Sequence, residues 1–113
     1  MNQPDPTNLD VILKQIRICA NEENIRFTVH AQQEMVEEAI TLDEVLEAIK
    51  VGHILENYPE HRRGACCLLN GFTSNRRPLH IVCTTVRPTL ILITVYEPKP
   101  PKWITPIQRR SNA

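Results

Sequence analysis

The sequence predicts an α+β fold in which N-terminal helices pack on one face of a four-stranded antiparallel sheet. Three observations carry this reading. Apolar residues recur at helical spacing from Leu9 to Gly52, the period changes to two after Gly52, and the four alternating runs that follow are separated by turn-forming or charged segments. A chain of 113 residues with 42% apolar content supplies one modest core, and two domains would each be too small.

Residues 1–8, with two prolines and no periodicity, read as a disordered tail, residues 9–104 as the domain, and residues 105–113 as a basic C-terminal tail. Leu9, Ile12, Leu13, Ile16, Cys19 and Ala20 line one face of a first helix reaching about Asn24, with Thr7 and Asn8 as candidate caps. IRFTV is a brief extended entry. Thr28 then caps a short helix that carries Ala31, Met35 and Val36 inward and Gln32, Gln33, Glu37 and Glu38 outward. Thr41 and Glu44 have capping-box spacing, Ile40 can staple onto Val45, and Leu42, Val45, Leu46 and Ile49 line a third helix that Gly52 stops.

The strand candidates are Ile54 to Tyr58, Ala65 to Phe72, Pro78 or Leu79 to Val86, and Leu90 to Glu97, parted by PEHRRG, TSNRR and RPT. The first is an edge strand open to pairing with a partner or a second copy, so the oligomeric state stays open. PKPPKWITPIQRR is too proline-rich for a central strand, and Trp103 either anchors this segment over an apolar patch or stacks on a base.

Composition narrows the function classes. No window has the length of apolar sequence that a membrane span needs, and MNQPDPTNLD lacks the order of a signal peptide, so the expected setting is cytoplasmic with no membrane partner. Cys19, Cys66, Cys67 and Cys83 show no C-x-x-C spacing, and reduced thiols without metal are expected. Residues 1–56 hold eleven acidic side chains against four basic ones, and residues 57–113 hold nine basic against two acidic. This division points either to an anionic partner for the second half or to helices and sheet that neutralise each other.

If Arg87, Pro88 and Thr89 form a three-residue loop, Val86 opposes Leu90, Thr84 opposes Leu92, Val82 opposes Thr94 and His80 opposes Tyr96. Ile81, Cys83, Thr85, Ile91, Ile93 and Val95 then face the helices, while His80, Thr94 and Tyr96 gather on the open face near Arg77. Histidine and tyrosine exchange protons and arginine holds phosphate, which together are what a metal-independent ribonuclease needs. The expected site is therefore His80, Tyr96 and Arg77, with Arg62, Arg63, Arg76, Thr94 and Lys99 as RNA contacts and His30 and Tyr58 as further candidates. No glycine-rich phosphate loop or nucleophile elbow is present, Glu56 and Glu97 read as isolated, and no cofactor is expected. The structural alternatives are an ordinary polar cross-strand pair for His80 and Tyr96, solvated turn arginines, and a His30 that satisfies a backbone group.

TVHAQQEM, ITLDEVLEAIKVGHILENYPE, LLNGF, RPLHIV and ITVYEPKPPKW, taken in that order, resemble a bacterial family described as domain of unknown function 4258, from about Phe27 to Trp103. The resemblance implies a fold similar to the RelE, BrnT and MqsR toxins, cleavage of messenger RNA, and pairing with a small zinc-finger antitoxin similar to MqsA. The family's motifs fall on His30 and Ala31, on Tyr58 and Pro59, on Arg77 to His80, and on Thr94, Tyr96 and Pro98. Many members carry arginines after the His-Ala motif, where this chain has Glu34 and Glu38. The expected function is thus a type II toxin acting as an endoribonuclease, and the alternative is a non-catalytic module that binds RNA or pairs with an antitoxin.

Overall fold

The computed structural model describes residues 7–85 and 88–110. The chain is α+β, as expected, but its main sheet is five-stranded and mixed rather than four-stranded and antiparallel. In chain order the elements are α1 (Leu9–Asn21), β1 (Ile25–Phe27), α2 (Val29–Glu37), α3 (Leu42–Val51), β2 (His53–Tyr58), β3 (Cys66–Phe72), β4 (Pro78–Thr84), β5 (Leu90–Tyr96), β6 (Trp103–Thr105) and β7 (Gln108–Arg109). The order across the main sheet is β1-β5-β4-β3-β2, and β6 and β7 form a separate two-stranded sheet.

Local signals set the helix ends. Asn8 caps α1 by accepting the Val11 N–H, Thr28 caps α2, and Thr41 and Glu44 complete the capping box of α3. α1 ends before Asn24 because Glu23 turns left-handed at φ 55° and Asn24 N–H returns to Cys19 O at 2.8 Å. Ala39 closes α2 in the same way, with φ 53° and Ile40 N–H on Met35 O at 2.8 Å. Ala31 is buried and Met35 partly so, but Val36 is 82% exposed and not inward, because one face of so short a helix has room for few contacts.

The added strand is the IRFTV entry. Ile25, Arg26 and Phe27 pair in parallel with Leu90, Ile91 and Leu92. Three residues are too few to show alternation, which is why the sequence reads there only as extended chain. This pairing turns Leu90 and Leu92 into the core and leaves Ile91 and Ile93 half-buried, the reverse of the expected faces. The extra residue Ile93 forms a bulge where the β4–β5 register shifts: Val82 opposes Thr94, but Cys83 rather than Thr84 opposes Leu92. The expected pairing of Val86 with Leu90 and the position of Arg87 lie outside the described residues, as do residues 1–6 and 111–113.

Beyond Phe27 the free edge of β5 is met by side chains instead of a strand. Thr28 Oγ1 donates to Ile93 O at 2.8 Å, Glu34 accepts the Val95 N–H at 2.9 Å, and Glu38 accepts the Glu97 N–H at 3.0 Å. The two carboxylates that the resemblance marked as a departure from arginine therefore protect a sheet edge.

Gly52 does not stop α3 through a left-handed turn, since its φ is −76°. Its missing side chain matters, because a Cβ there would lie 2.7 Å from Ala48 O, and one on Gly71 would lie 2.1 Å from the same oxygen. α3 thus rests directly on β3. Gly71→Ala should overpack this contact and lower stability by about 3 kcal/mol, seen as a lower urea midpoint at unchanged denaturant slope.

Candidate functional site

Two bulges decide which side chains share the face away from the helices. Leu55 interrupts the β2–β3 register, so His53 opposes Asn70 while Glu56 opposes Leu68 and Tyr58 opposes Cys66. Asn70 in turn opposes His80, and His80 opposes Tyr96. A polar row, His53–Asn70–His80–Tyr96, crosses four strands, with Glu56 and Tyr58 on the same face of the edge strand.

His80 and Tyr96 meet as expected, with Nδ1 3.0 Å from the tyrosine oxygen. The face is not open, however. Pro106 O lies 2.6 Å from His80 Nε2, Trp103 packs edge-on to the imidazole at 4.4 Å between centroids, and His80 is 0% exposed. A carbonyl can only accept, so Nε2 carries the proton and Nδ1 accepts from the Tyr96 hydroxyl. Burial pushes the His80 pKa down and the Tyr96 pKa up, so both are neutral at physiological pH.

The segment expected to be a basic tail supplies this cover. β6 and β7 make a small hairpin in which Trp103 opposes Arg109 and Thr105 opposes Gln108. Trp103, only 2% exposed, packs edge-on against the His80 ring. The Arg109 guanidinium lies 4.5 Å above the indole and grips Glu56 with both ends, Nε to Oε2 at 2.6 Å and Nη2 to Oε1 at 2.7 Å. The Tyr58 hydroxyl also donates to Glu56. Arg109 above all, then Tyr58, hold the Glu56 carboxyl down to about 2 against burial, and burial with the adjacent carboxylate raises Tyr58.

Of the residues expected to form a site, His80, Tyr96, Thr94 and Tyr58 share this face. Arg77 does not join them. Its guanidinium is spent on the helix side, with Nε on Glu97 Oε1 at 2.7 Å, Nη2 on Glu38 O at 2.6 Å, Nη1 on Ala39 O at 3.1 Å and Glu44 at 3.5 Å. Arg62 and Arg63 are exposed in the turn that follows Tyr58, whereas Arg76 lies in the β3–β4 turn at the other end of β3 and Lys99 follows β5. His30 is on the outer side of α2, 3.4 Å from Glu34. Glu56 and Arg109 were missed. Neither is isolated, but fifty-three positions part them and no local pattern joins them.

Among the described residues no cluster of His, Cys, Asp or Glu is arranged to hold a metal ion, and no helix is long and apolar enough to cross a membrane. The four cysteines are free and buried.

Fold and site together define a small α+β protein with a hydrogen-bonded histidine–tyrosine pair and an arginine–carboxylate pair on one sheet face. The chain matches the family described as Domain of unknown function (DUF4258) over residues 27–97, well over half its length, and belongs to that family. No curated protein and no solved structure matches it.

Two outcomes test these ion pairs. Arg77→Ala should cost about 2–3 kcal/mol of stability by orphaning Glu97 and the carbonyls of Glu38 and Ala39 just past α2, measured by chemical unfolding. Glu56 has a folded pKa of about 2 against an ordinary 4.5. Its contribution is therefore complete above pH 4.5 and lost as pH falls from 4.5 toward 2. Unfolding midpoints across that window should fall less steeply for Glu56→Gln than for the wild type.

Proposed function

We propose that the chain is a metal-independent endoribonuclease of the toxin kind, with Arg109 in the phosphate-binding role expected of Arg77. The observation that supports it is the convergence of Glu56, Tyr58, His80, Tyr96 and Arg109 on one sheet face. RNA cleavage by the 2′-hydroxyl needs a base for that proton, an acid for the leaving 5′-oxygen and a cation for the charge on phosphorus.

Arg109 already holds a carboxylate bidentately, and the same fork fits two phosphate oxygens. A phosphate that takes Arg109 removes the main cause of the depressed Glu56 pKa, so the carboxylate becomes a stronger base where the 2′-hydroxyl arrives. The 2′-oxygen then bonds to phosphorus, the bond to the 5′-oxygen breaks, and the 5′-oxygen takes a proton from Tyr58 or from the His80–Tyr96 pair. Arg62 and Arg63, exposed in the turn after Tyr58, would supply contacts to flanking phosphates. A small zinc-finger antitoxin, the partner implied by the family resemblance, would act by covering this face.

One observation favours a non-catalytic binding module instead: His80 is fully buried with both ring nitrogens engaged. Incubating purified protein with end-labelled single-stranded RNA in a chelator separates the readings. Cleavage should occur in the wild type and fall on the order of 10²-fold or more in Glu56→Gln. Salt-dependent binding with intact RNA in both would select the binding module.

A further inference from the structure

We propose that the β6–β7 hairpin is a latch on this site, released when a phosphate of single-stranded RNA takes Arg109 from Glu56. The identity of the releasing ligand rests on the ribonuclease reading; the latch itself rests on geometry.

Backbone pairing does not hold the hairpin down. β6 and β7 pair with each other and belong to a sheet apart from the five main strands. The hairpin leaves β5 through Pro98-Lys99-Pro100-Pro101-Lys102, whose prolines stiffen the connection and offer few amides to a ladder. Three of its contacts with the sheet fall on the groups assigned to chemistry: Pro106 O on His80, Trp103 against the same ring, and Arg109 on Glu56. Its other side faces solvent, with Ile104 and Ile107 both exposed.

These contacts differ in reach. Trp103 and His80 are sealed, whereas the Arg109 and Glu56 side chains are 42% and 24% exposed, so an anion meets the ion pair first. Arg109 also lies over Trp103, so drawing it away loosens the ion pair and the indole cover together. Release uncovers His80 Nε2, the ring nitrogen that Pro106 occupies. Binding of substrate and opening of the site then become one event, since the same arginine serves both.

Trp103 is the one tryptophan in the chain, so its emission reads the latch in the full-length protein. A short oligouridylate is titrated while binding is followed separately by anisotropy of a labelled copy. The wild type should shift to the red as RNA saturates it. Glu56→Gln and Arg109→Gln should be red-shifted before any RNA is added, with faster amide exchange across residues 103–110 and unchanged far-ultraviolet circular dichroism. RNA binding with unaltered wild-type emission overturns release by RNA. If the wild type neither binds nor cuts RNA, the ribonuclease reading and RNA release both fail, and the two variants decide the latch alone. Blue-shifted emission and slow exchange in both, with folding intact, overturn it.

Discussion

The Arg77 guanidinium joins most of the elements on the helix side of the sheet. It donates to the carbonyls of Glu38 and Ala39 just past α2, to Glu44 in the first turn of α3 and to Glu97 just past β5, all from the residue before β4. A helix C-terminus presents unsatisfied carbonyls and partial negative charge, and a planar fork of five donors can answer several of them at once. Lysine has neither the shape nor the number of donors. With α2 held against the end of β5 in this way, Glu34 and Glu38 reach the free β5 amides and the edge is closed without a further strand.

That arrangement also fixes which residues face which side. β1 enters parallel to β5 and demands Leu90 and Leu92 in the core, while the pairing of β5 with β4 beyond the bulge demands Val95 there. Two inward residues an even number apart need no correction, but Leu92 and Val95 are three apart. One extra residue, Ile93, absorbs the mismatch. Leu55 does the same in β2, and by that shift His53 and Glu56, also three apart, come to share a face.

Legibility in the sequence followed the range of the interaction. The caps at Asn8, Thr28 and Thr41 and the helical stripes depend on residues three or four apart, and they were readable. The His80–Tyr96 pairing, counted from a three-residue loop, holds at the far end of the hairpin although the pairing next to the loop is one residue off, because the bulge at Ile93 restores the count. β1 was hidden by its length, and the inner face of β5 by a bulge that only β1 explains. Arg77 is instructive, since it stands three residues from His80 just before the same strand, and period two already argues for opposite faces. Glu56 and Arg109 carried no such signal, because their pairing exists only once the C-terminal hairpin folds back.

The charge division along the chain resolves in the same terms. Acidic residues of the first half meet basic residues of the second across the fold: Glu44 meets Arg77 and Glu56 meets Arg109, while Glu34 and Glu38 spend their charge on backbone amides of β5. Only an acceptor can close a strand's exposed N–H groups, so arginines at those two positions would leave Val95 and Glu97 amides without these partners. The two glutamates therefore have a structural role at the sheet edge. The basic side chains outside such pairs include Arg62 and Arg63, exposed beside the Tyr58 end of the edge strand.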